Sequence, residues 1–360
     1  MAGDNQSEAT TWDDVLTATT GDSPIHLEVR YELLVPLLLL IMFTCGANLV
    51  VIICIRTHRP LQKPNNYFVI SLAVADALVG LFVMSGMLVY TSFGLWPLSD
   101  SLCTVWIVSD FSSCTVSMIH LCLIAHDRHL ALAKPLAYRH SNRKRTICTS
   151  IGATWVIGTG AWLPAILWFK LNQDPVAYDC YFVPDRLYTL VQSFLVYFAP
   201  LVLMLVFYVQ CVIGLRSRYH KIAATLDNAP SGSHKISPHN SISIIETQNS
   251  TLSNIAECQT SAVTSKSTQH GRIRLEKKTR RRNEHVRSIR TLGIIIGIFL
   301  FCWLPFCLLW PVVAYCPDCI PLKWYEYSYW SAYLNSAVNP LLYFCSNKDF
   351  RAAFKNLVKG

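Results

Sequence analysis

The chain has 360 residues, of which 52% are hydrophobic and only 15% are charged. This balance is too apolar for an ordinary soluble protein and indicates a membrane protein. The formal net charge of +9 does not indicate nucleic-acid binding, because most lysines and arginines fall in short connections and in one long polar segment.

Seven apolar stretches follow one another, and each is near or above the length of about 20 residues that a helix needs to span a bilayer. They run over residues 32–55, 67–92, 102–126, 146–169, 187–214, 291–315 and 324–345. The first connection carries Arg56, Arg59 and Lys63, whereas residues 93–101 carry no base. Since basic connections stay in the cytoplasm, we expect the N-terminus outside the cell and the C-terminus inside. The predicted fold class is all-α, a seven-transmembrane helix bundle.

The predicted division of the chain has five parts. These are an extracellular N-terminal tail (1–31), spans one to five with their loops (32–221), a disordered third intracellular loop (222–283), spans six and seven (284–346), and an amphipathic helix with a short tail (347–360). Asn5 begins an Asn-Gln-Ser glycosylation sequence in the N-terminal tail. The long loop is predicted from its Ser, Thr, Asn and Gln content and its few aromatic residues. Phe350, Ala353, Phe354 and Leu357 share one face of the last helix, which is typical of an interfacial helix.

An aspartate, Asp110, lies well inside the third apolar stretch. An acid near mid-membrane costs about 2.5–3.5 kcal/mol on insertion scales, and its default interpretation is a functional site with a partner. Asp110, Cys114 and Ser117 stand at i, i+4 and i+7, on one face of a helix. The alternative is an ion pair with a Lys or Arg of another span. No predicted span contains such a base, so the sequence favours a cation from outside the chain.

A second acid, Asp76, lies inside the second span. Together with Ser117, Asn335 and Asn339 it offers oxygen ligands of the kind that a hard cation prefers, and sodium is the predicted ion. The alternative is a hydrogen-bonded polar network that joins the helices without an ion. The residues alone do not decide between these two interpretations, and the sequence predicts no other cofactor.

Aromatic residues cluster near the outer halves of the last two spans. They are Trp303, Phe306 and Trp310 in the sixth span and Tyr329, Trp330 and Tyr333 in the seventh. With Asp110 they can form an aromatic cage around an ammonium ion, a contact worth about 0.5–2 kcal/mol. The alternative is an aromatic belt at the membrane interface. Trp303 lies deeper than such a belt, and therefore fits it poorly.

Four of the fourteen cysteines lie on the predicted outer side of the membrane, where the compartment is oxidising. Cys103, Cys180, Cys316 and Cys319 are sufficient for two disulfides. The Cys316-Pro317-Asp318-Cys319 sequence is also compatible with a redox motif or half of a zinc site, although two further zinc ligands are not evident.

Taken in order, the landmarks of the spans resemble the rhodopsin-like (class A) G-protein-coupled receptors. The matching motifs are GANLVV around Asn48, SLAVAD ending at Asp76, Cys103, Asp127-Arg128-His129, Trp155, Pro200 with Tyr208, CWLPF at 302–306 and NPLLY at 339–343. The match covers nearly all of the chain outside the long loop and the N-terminal tail, with at least one motif in each span. It implies a plasma-membrane receptor rather than an enzyme. The implied partners are a small-molecule ligand, a heterotrimeric G protein and membrane lipid, but no nucleic acid.

Within that family the chain is similar to the biogenic-amine receptors, which bind serotonin, histamine, tyramine or octopamine. The similarity implies that Asp110 holds the ligand amine. The implied ligand-binding residues are Asp110, Cys114, Gln192, Ser193, Phe306, Trp310, Trp330 and Tyr333. Serotonin is slightly favoured, because Cys114 with a single Ser193 suits an indole that carries one hydroxyl. A peptide or orphan receptor of the same fold is the alternative, followed by a seven-span transporter.

The same similarity implies two disulfides and a cytoplasmic switch. Cys103 would pair with Cys180, and Cys316 with Cys319. The implied residues of the switch and of G-protein coupling are Asp127, Arg128, Tyr208, Trp303, Pro305, Asn339, Pro340 and Tyr343. Two departures leave the strength of the inactive-state lock on Arg128 open. The usual Asp-Arg-Tyr is Asp-Arg-His here, and the acid expected at the base of the sixth span is replaced by His285, with Glu284 one place away.

Overall fold

The computed structural model describes residues 31–133, 138, 143–172, 180, 182, 184–227 and 266–359. Residues 1–30 of the predicted tail, which include Asn5, and residues 228–265 of the predicted long loop lie outside the described residues. The longer elements of the described part are all helices. They are α1 (Tyr31–Thr57), α2 (Asn66–Phe93), α3 (Asp100–Ala133), α4 (Arg143–Asn172), α5 (186–227), α6 (Lys266–Tyr315), α7 (Leu322–Ser346) and α8 (Lys348–Lys359).

Helices α1 to α6 are each long and apolar enough to cross a membrane. Helix α7 has 25 residues, which is also sufficient at about 1.5 Å per residue, but Asn335 and Asn339 make it more polar. Large apolar side chains point away from the bundle, among them Met42 and Phe301, which are 70% and 77% exposed. Such a surface is stable only against lipid, and the predicted seven-transmembrane bundle is confirmed.

Helices α2, α4 and α5 depart from regular α-helix inside the bundle. Val79–Met84 in α2 and Ser193–Phe198 in α5 are π-helical, so each contains an extra residue in its turn. In α5 this segment ends two residues before Pro200, which has no backbone N–H to donate. Helix α4 is interrupted between Gly160 and Leu163, just before Pro164. These irregularities change the direction in which the following side chains point.

Helix α3 lies at the centre of the bundle, where it contacts α2, α4 and α5. Polar side chains join neighbouring helices within the apolar core. The Asn48 amide of α1 donates to the Ser336 carbonyl of α7 at 3.0 Å. The Trp162 indole of α4 donates to Thr115 of α3 at 2.7 Å, and its side chain is fully buried. Each such bond satisfies a buried donor that lipid would leave unpaired.

Both predicted disulfides are confirmed. Cys103, near the start of α3, is bonded to Cys180, with a Cα–Cα distance of 5.6 Å. Cys316 and Cys319 are bonded to each other across the connection between α6 and α7. The pair therefore serves neither as a zinc half-site nor as a free dithiol, and the described residues contain no group of three or more His, Cys, Asp or Glu suited to a metal.

Contacts within the chain separate two compact units. One comprises Met1–Val212 with Arg287–Gly360 and contains the bundle. The other, Ile213–Val286, contains the last part of α5 and the first part of α6. The predicted loop at 222–283 overlaps helix at both of its ends, since α5 extends to residue 227 and α6 begins at Lys266. Lys and Arg are good helix formers, so the basic run at 277–282 does not end a helix although it is too polar for a membrane.

Helix α2 approaches α3 closely at Gly86. A Cβ atom at this position would overlap the Trp106 indole, whose N–H is held by the Val83 carbonyl at 2.9 Å. We expect Gly86→Ala to lower the melting temperature of the detergent-solubilised protein, because overpacking costs about 1–3 kcal/mol. The matched control is Gly152→Ala in α4, where a Cβ meets nothing within 4 Å. Because alanine gains about 1 kcal/mol over glycine in a helix, the control variant should be as stable as the unchanged protein or more so. Equal shifts in both variants would contradict the close approach.

Candidate functional site

Asp110 lies inside the bundle on α3, and only 7% of the residue is exposed. The Tyr333 hydroxyl of α7 donates to its Oδ2 atom at 3.0 Å, and the Cys114 thiol, one turn along α3, donates to its Oδ1 atom at 3.5 Å. None of the ion pairs between described residues includes Asp110. Two neutral donors therefore share a carboxylate that has no countercharge in the described part of the chain.

A small cavity adjoins this carboxylate. Its lining residues come from α3, α5, α6 and α7, and most of them are aromatic. They are Asp110, Phe111, Cys114, Tyr197, Trp303, Phe306, Tyr329, Ala332 and Tyr333. Within this cavity, the centre of a water molecule can move over a volume of about 10 Å³. A cavity of that size has room for about one water molecule. A larger ligand has to move some of these side chains apart.

The aromatic rings around the cavity are in contact with one another. Tyr197 of α5 lies 5.6 Å, centroid to centroid, from Phe306 of α6, and Phe306 lies 4.8 Å from Tyr329 of α7. Tyr329 in turn lies 6.1 Å from Tyr333, the residue that bonds Asp110. Ring faces carry partial negative charge, so this wall adds to the attraction of the carboxylate for a cation. The geometry is that of a cage rather than of an interfacial belt.

The structure brings four of the predicted ligand-binding residues to the cavity, namely Asp110, Cys114, Phe306 and Tyr333. Trp310 is one turn further along α6, stacked on Phe306 with centroids 6.1 Å apart. Trp330 packs edge-on against Tyr333, and its indole N–H reaches Thr91 of α2 at 3.3 Å. Both tryptophans therefore pack against residues that line the cavity, and neither is itself a lining residue.

The two predicted residues of α5 point elsewhere. The Gln192 amide donates to the Ala161 carbonyl of α4 at 3.1 Å and to the Tyr188 hydroxyl at 2.9 Å. The Ser193 hydroxyl donates to the Thr189 carbonyl of its own helix at 2.7 Å. Both residues flank the start of the π-helical segment, after which Tyr197 is the side chain of α5 that reaches the cavity.

The sequence predicted Tyr329 as part of the aromatic cage, whereas Phe111, Tyr197 and Ala332 were not predicted at the site. A signal for Tyr329 is present in the sequence, because Tyr325, Tyr329 and Tyr333 recur every four residues and so lie on one face of α7. The Tyr325 and Tyr329 hydroxyls are 3.2 Å apart, which continues the row of tyrosines beyond Asp110. No comparable signal exists for Tyr197, since its direction depends on the π-helical turn.

The second acid, Asp76, is fully buried and collects three hydrogen bonds. The hydroxyls of Ser117 and Ser336 donate to its Oδ1 atom at 3.1 and 2.8 Å, and the Asn339 amide donates to Oδ2 at 2.8 Å. Ser336 was not predicted here. Asn335 is buried as well, but none of the hydrogen bonds found between described residues joins it to Asp76. The arrangement is a polar network between α2, α3 and α7. The same side chains offer oxygen ligands of the kind that sodium prefers, because both hydroxyls and the Asn339 side chain carry oxygen atoms that can turn toward an ion.

Near the other end of α3, Asp127 is 6% exposed and forms an ion pair with Arg143, the first residue of α4. The neighbouring Arg128 is half-buried and belongs to none of the ion pairs within the described residues. On α5, Tyr208 packs over Gly293 of α6, where a Cβ atom would come within 2.6 Å of its hydroxyl.

The remaining predicted switch residues lie on α6 and α7. The Trp303 ring is stacked between Phe299 and Tyr197, with centroid distances of 6.0 and 5.9 Å, and Pro305 follows it in the same helix. Asn339 bonds Asp76 and is followed by Pro340. Tyr343 stacks on Phe350 of α8 at 5.7 Å, and its buried hydroxyl has no hydrogen-bond partner in the described part of the chain.

Residues 47–343 match the model of the 7 transmembrane receptor (rhodopsin family). The chain belongs to the rhodopsin family of seven-transmembrane receptors. It is 32% identical to the "Probable G-protein coupled receptor No18" of Amphibalanus amphitrite, over 90% of this chain and 88% of that one. It is 29% identical to the "5-hydroxytryptamine receptor 1A-alpha" of Takifugu rubripes, over 99% of this chain and 95% of that one. It is also 31% identical to the human "5-hydroxytryptamine receptor 1B", over 93% and 88%.

As a G-protein-coupled receptor the chain is a multi-pass protein of the plasma membrane and not an enzyme. A receptor of this family passes a signal from a small-molecule ligand on one side of the membrane to a G protein on the other. The Asp110 cavity and the residues around Arg128 lie toward opposite ends of α3, 18 positions apart, which corresponds to about 27 Å of helix.

Proposed function

We propose that the ligand of this receptor is a protonated biogenic amine whose ammonium group pairs with Asp110. The observation that carries the proposal is a buried carboxylate, 7% exposed, whose only hydrogen-bond donors among the described side chains are a phenol and a thiol. A charge inside a bilayer is costly unless it is paired. An ammonium ion supplies the missing charge, and the rings of Phe306, Tyr329 and Tyr333 add cation–π attraction.

We propose serotonin as the first amine to test. Two relatives are named as 5-hydroxytryptamine receptors, and they are 29% and 31% identical to this chain over most of its length. On α5, the Ser193 hydroxyl already donates to Thr189, so toward a ligand it can act only as an acceptor. The 5-hydroxyl of serotonin is a donor, which suits that role once the cavity has opened toward α5.

Ligand entry and signalling are coupled in this proposal. The cavity has room for about one water, so a bound amine has to displace rings such as Phe306. Phe306 and Trp303 lie on α6 on either side of Pro305, which has no backbone N–H and leaves the helix free to bend there. Movement of α6 would then change the surroundings of Arg128, Tyr208 and Tyr343. The ligand shifts the receptor only as far as it binds the opened arrangement more tightly.

We also propose that the N-terminus is outside the cell. The basic residues of the first connection and of the segment after α3 favour the cytoplasm for that end of the bundle. The disulfide of Cys103 lies toward the other end, as an oxidising exterior requires. Antibody staining of intact cells that carry an N-terminal epitope tests this orientation.

A further proposal is that sodium binds at Asp76. Its only support is the set of possible oxygen ligands, in which one carboxylate faces two hydroxyls and one side-chain amide between three helices. Such an ion would balance the charge of the fully buried carboxylate.

The amine proposal predicts that Asp110→Asn reduces amine affinity. Truncating one partner of a buried charge pair costs about 2–5 kcal/mol, which corresponds to a loss of about 30-fold to several thousand-fold. Radioligand binding to membranes measures the loss, with surface expression determined in parallel. The matched control is Asp100→Asn near the start of the same helix, whose exposed carboxylate pairs with Lys170 at 3.0 Å. Retained affinity in Asp110→Asn, or equal losses in both variants, would count against the assignment.

The serotonin proposal is tested by amines that differ in one hydroxyl. A hydrogen bond to Ser193 is worth about 0.5–1.5 kcal/mol, so serotonin should be about two- to tenfold more potent than tryptamine. Ser193→Ala should remove this difference and leave the potency of tryptamine unchanged. Equal potency of the two amines in the unchanged receptor would exclude recognition of the hydroxyl but not of the amine.

The sodium proposal predicts that added NaCl lowers agonist affinity, whereas KCl of equal ionic strength does not. Asp76→Asn should abolish the response, because the charge that attracts the ion is gone. Ser336→Ala should weaken the response more than Asn335→Ala, since only Ser336 is bonded to Asp76. A flat response to NaCl in the unchanged receptor would remove the idea.

A further inference from the structure

Trp162 of α4 is the largest of the fully buried side chains in the described part of the chain. It lies in the interruption between Gly160 and Leu163, just before Pro164. Its backbone N–H donates to the carbonyl of Thr159, three positions earlier, at 3.1 Å, which is the pattern of a 3₁₀ turn. A 3₁₀ turn is tighter than an α-helical one, so it changes the direction in which the Trp162 side chain points.

Helix α5 fixes this interruption from the side. The Ala161 carbonyl, next to Trp162, accepts from the Tyr188 hydroxyl at 3.2 Å and from the Gln192 amide at 3.1 Å. Two side chains of α5 therefore hold the backbone at the point where α4 is irregular. Gln192, a predicted ligand contact, serves here to position α4.

Thr115 of α3 connects the Trp162 indole to the backbone of Phe111. The indole N–H donates to the Thr115 hydroxyl at 2.7 Å, and that hydroxyl donates to the Phe111 carbonyl at 2.7 Å. Thr115 is buried, so no solvent competes for either bond. Since a buried donor is costly to leave unpaired, this chain of hydrogen bonds fixes the orientation of the indole.

The indole packs directly against the Phe111 ring, with 4.5 Å between the ring centroids. Phe182 and Trp310 also contact Phe111, at centroid distances of 5.6 and 5.8 Å. Phe182 stands two positions after Cys180, which a disulfide joins to α3. Phe111 lines the cavity, whereas Trp162 lies behind it. Close packing against three rings leaves Phe111 little room to turn away from the cavity.

The two sides of the cavity therefore differ in how far they can move. Phe306 belongs to α6, which can bend at Pro305. Phe111 belongs to the central helix α3, and Trp162 fills the space behind its ring. The cavity can widen toward α6, but Trp162 keeps it closed toward α4.

We propose that Trp162 is a positioning residue that holds Phe111 in the cavity wall and thereby limits the size of the ligands that the cavity admits. The inference rests on the proposed amine function and adds which amines are admitted, namely those with one compact ring system. A shorter side chain at position 162 would leave space behind Phe111, because neighbouring groups fill such a space only in part. The Phe111 ring could then move back and admit a larger amine.

Two amines of different size test this limit. 5-Benzyloxytryptamine carries a second ring that tryptamine lacks. Trp162→Leu should raise the affinity for 5-benzyloxytryptamine about ten- to a hundredfold, because a phenyl ring becomes buried, and should change the affinity for tryptamine less than about twofold. Radioligand competition on membranes with matched surface expression measures both. A merely structural role of Trp162 would instead weaken the binding of the two amines together.

The matched control is Trp155→Leu, which shortens another tryptophan of α4. Its indole N–H donates to the Ser71 hydroxyl of α2 at 3.0 Å, and Trp155 does not line the cavity. This variant also loses a hydrogen-bonded indole, but it should leave the ratio of the two affinities unchanged. An equal change of the ratio in both variants would contradict the role of Trp162.

A double variant tests whether Trp162 acts through Phe111. Phe111→Ala alone should admit 5-benzyloxytryptamine, and adding Trp162→Leu should change the ratio no further, because both substitutions act on the same ring. Thr115→Val keeps the shape of the side chain but removes the acceptor of the indole N–H, so it should shift the ratio in the same direction but less. Additive gains in the double variant would overturn the action through Phe111.

Cys114 provides a readout that needs no amine, because its thiol lines the cavity. In the purified receptor, Trp162→Leu should speed labelling of Cys114 by benzyl methanethiosulfonate about tenfold relative to methyl methanethiosulfonate, since the same ring gains access. Mass spectrometry of the α3 peptide measures the labelling, with Cys114→Ser as the background. If neither amine binds but labelling responds as expected, the amine proposal fails and the role of Trp162 stands. An unchanged labelling ratio in Trp162→Leu would overturn this inference, whatever the ligand.

Discussion

A carboxylate that must remain inside a membrane without a base beside it is the constraint on which this receptor depends. Asp110 is shielded from lipid by its central position on α3 and is held by Tyr333 and Cys114, neither of which carries a positive charge. Two hydrogen bonds orient a carboxylate but do not neutralise it. The aromatic rings lining the cavity leave room for about one water, and the ammonium ion proposed above would supply the missing charge.

Most of the fold follows from the sequence, because a spanning helix needs little beyond length and apolar composition. The predicted seventh span, 324–345, differs from α7 by two residues at its start and one at its end. The sixth differs far more, since α6 begins at Lys266 rather than near residue 291. Hydropathy marks where a helix meets the hydrocarbon, and a helix rich in Lys and Arg can continue into water. The interruption of α4 falls just before Pro164, a residue that breaks helices, whereas the two π-helical turns have no comparable signal in composition.

How far the candidate site could be predicted depends on whether a residue lies on regular helix or next to a π-helical segment. Asp110, Cys114, Phe306 and Tyr333 lie on regular helix, where spacing fixes direction, and all four reach the cavity. Gln192 and Ser193 lie at the start of the π-helical segment of α5, whose extra residue changes which side chains face inward. Tyr197 faces the cavity in their place. Similarly, Asp76 and Asn339 could be paired from their positions, whereas the choice of Ser336 over Asn335 depends on the rotation of α7 against α2.

Both ends of α3 bear on the equilibrium between the silent and the active state of the receptor. At the Asp110 end, the cavity is nearly filled by its own rings, so ring displacement costs packing energy that a bound ligand has to offset. At the other end, Asp127 forms an ion pair with Arg143 and accepts from the Tyr138 hydroxyl, and Arg128 beside it belongs to none of the ion pairs within the described residues. A small free-energy gap between silent and active states raises ligand-free signalling, and it also lowers the differential affinity that a ligand needs. The packing of the rings around Asp110 therefore sets how much more tightly a ligand has to bind the opened arrangement than the closed one.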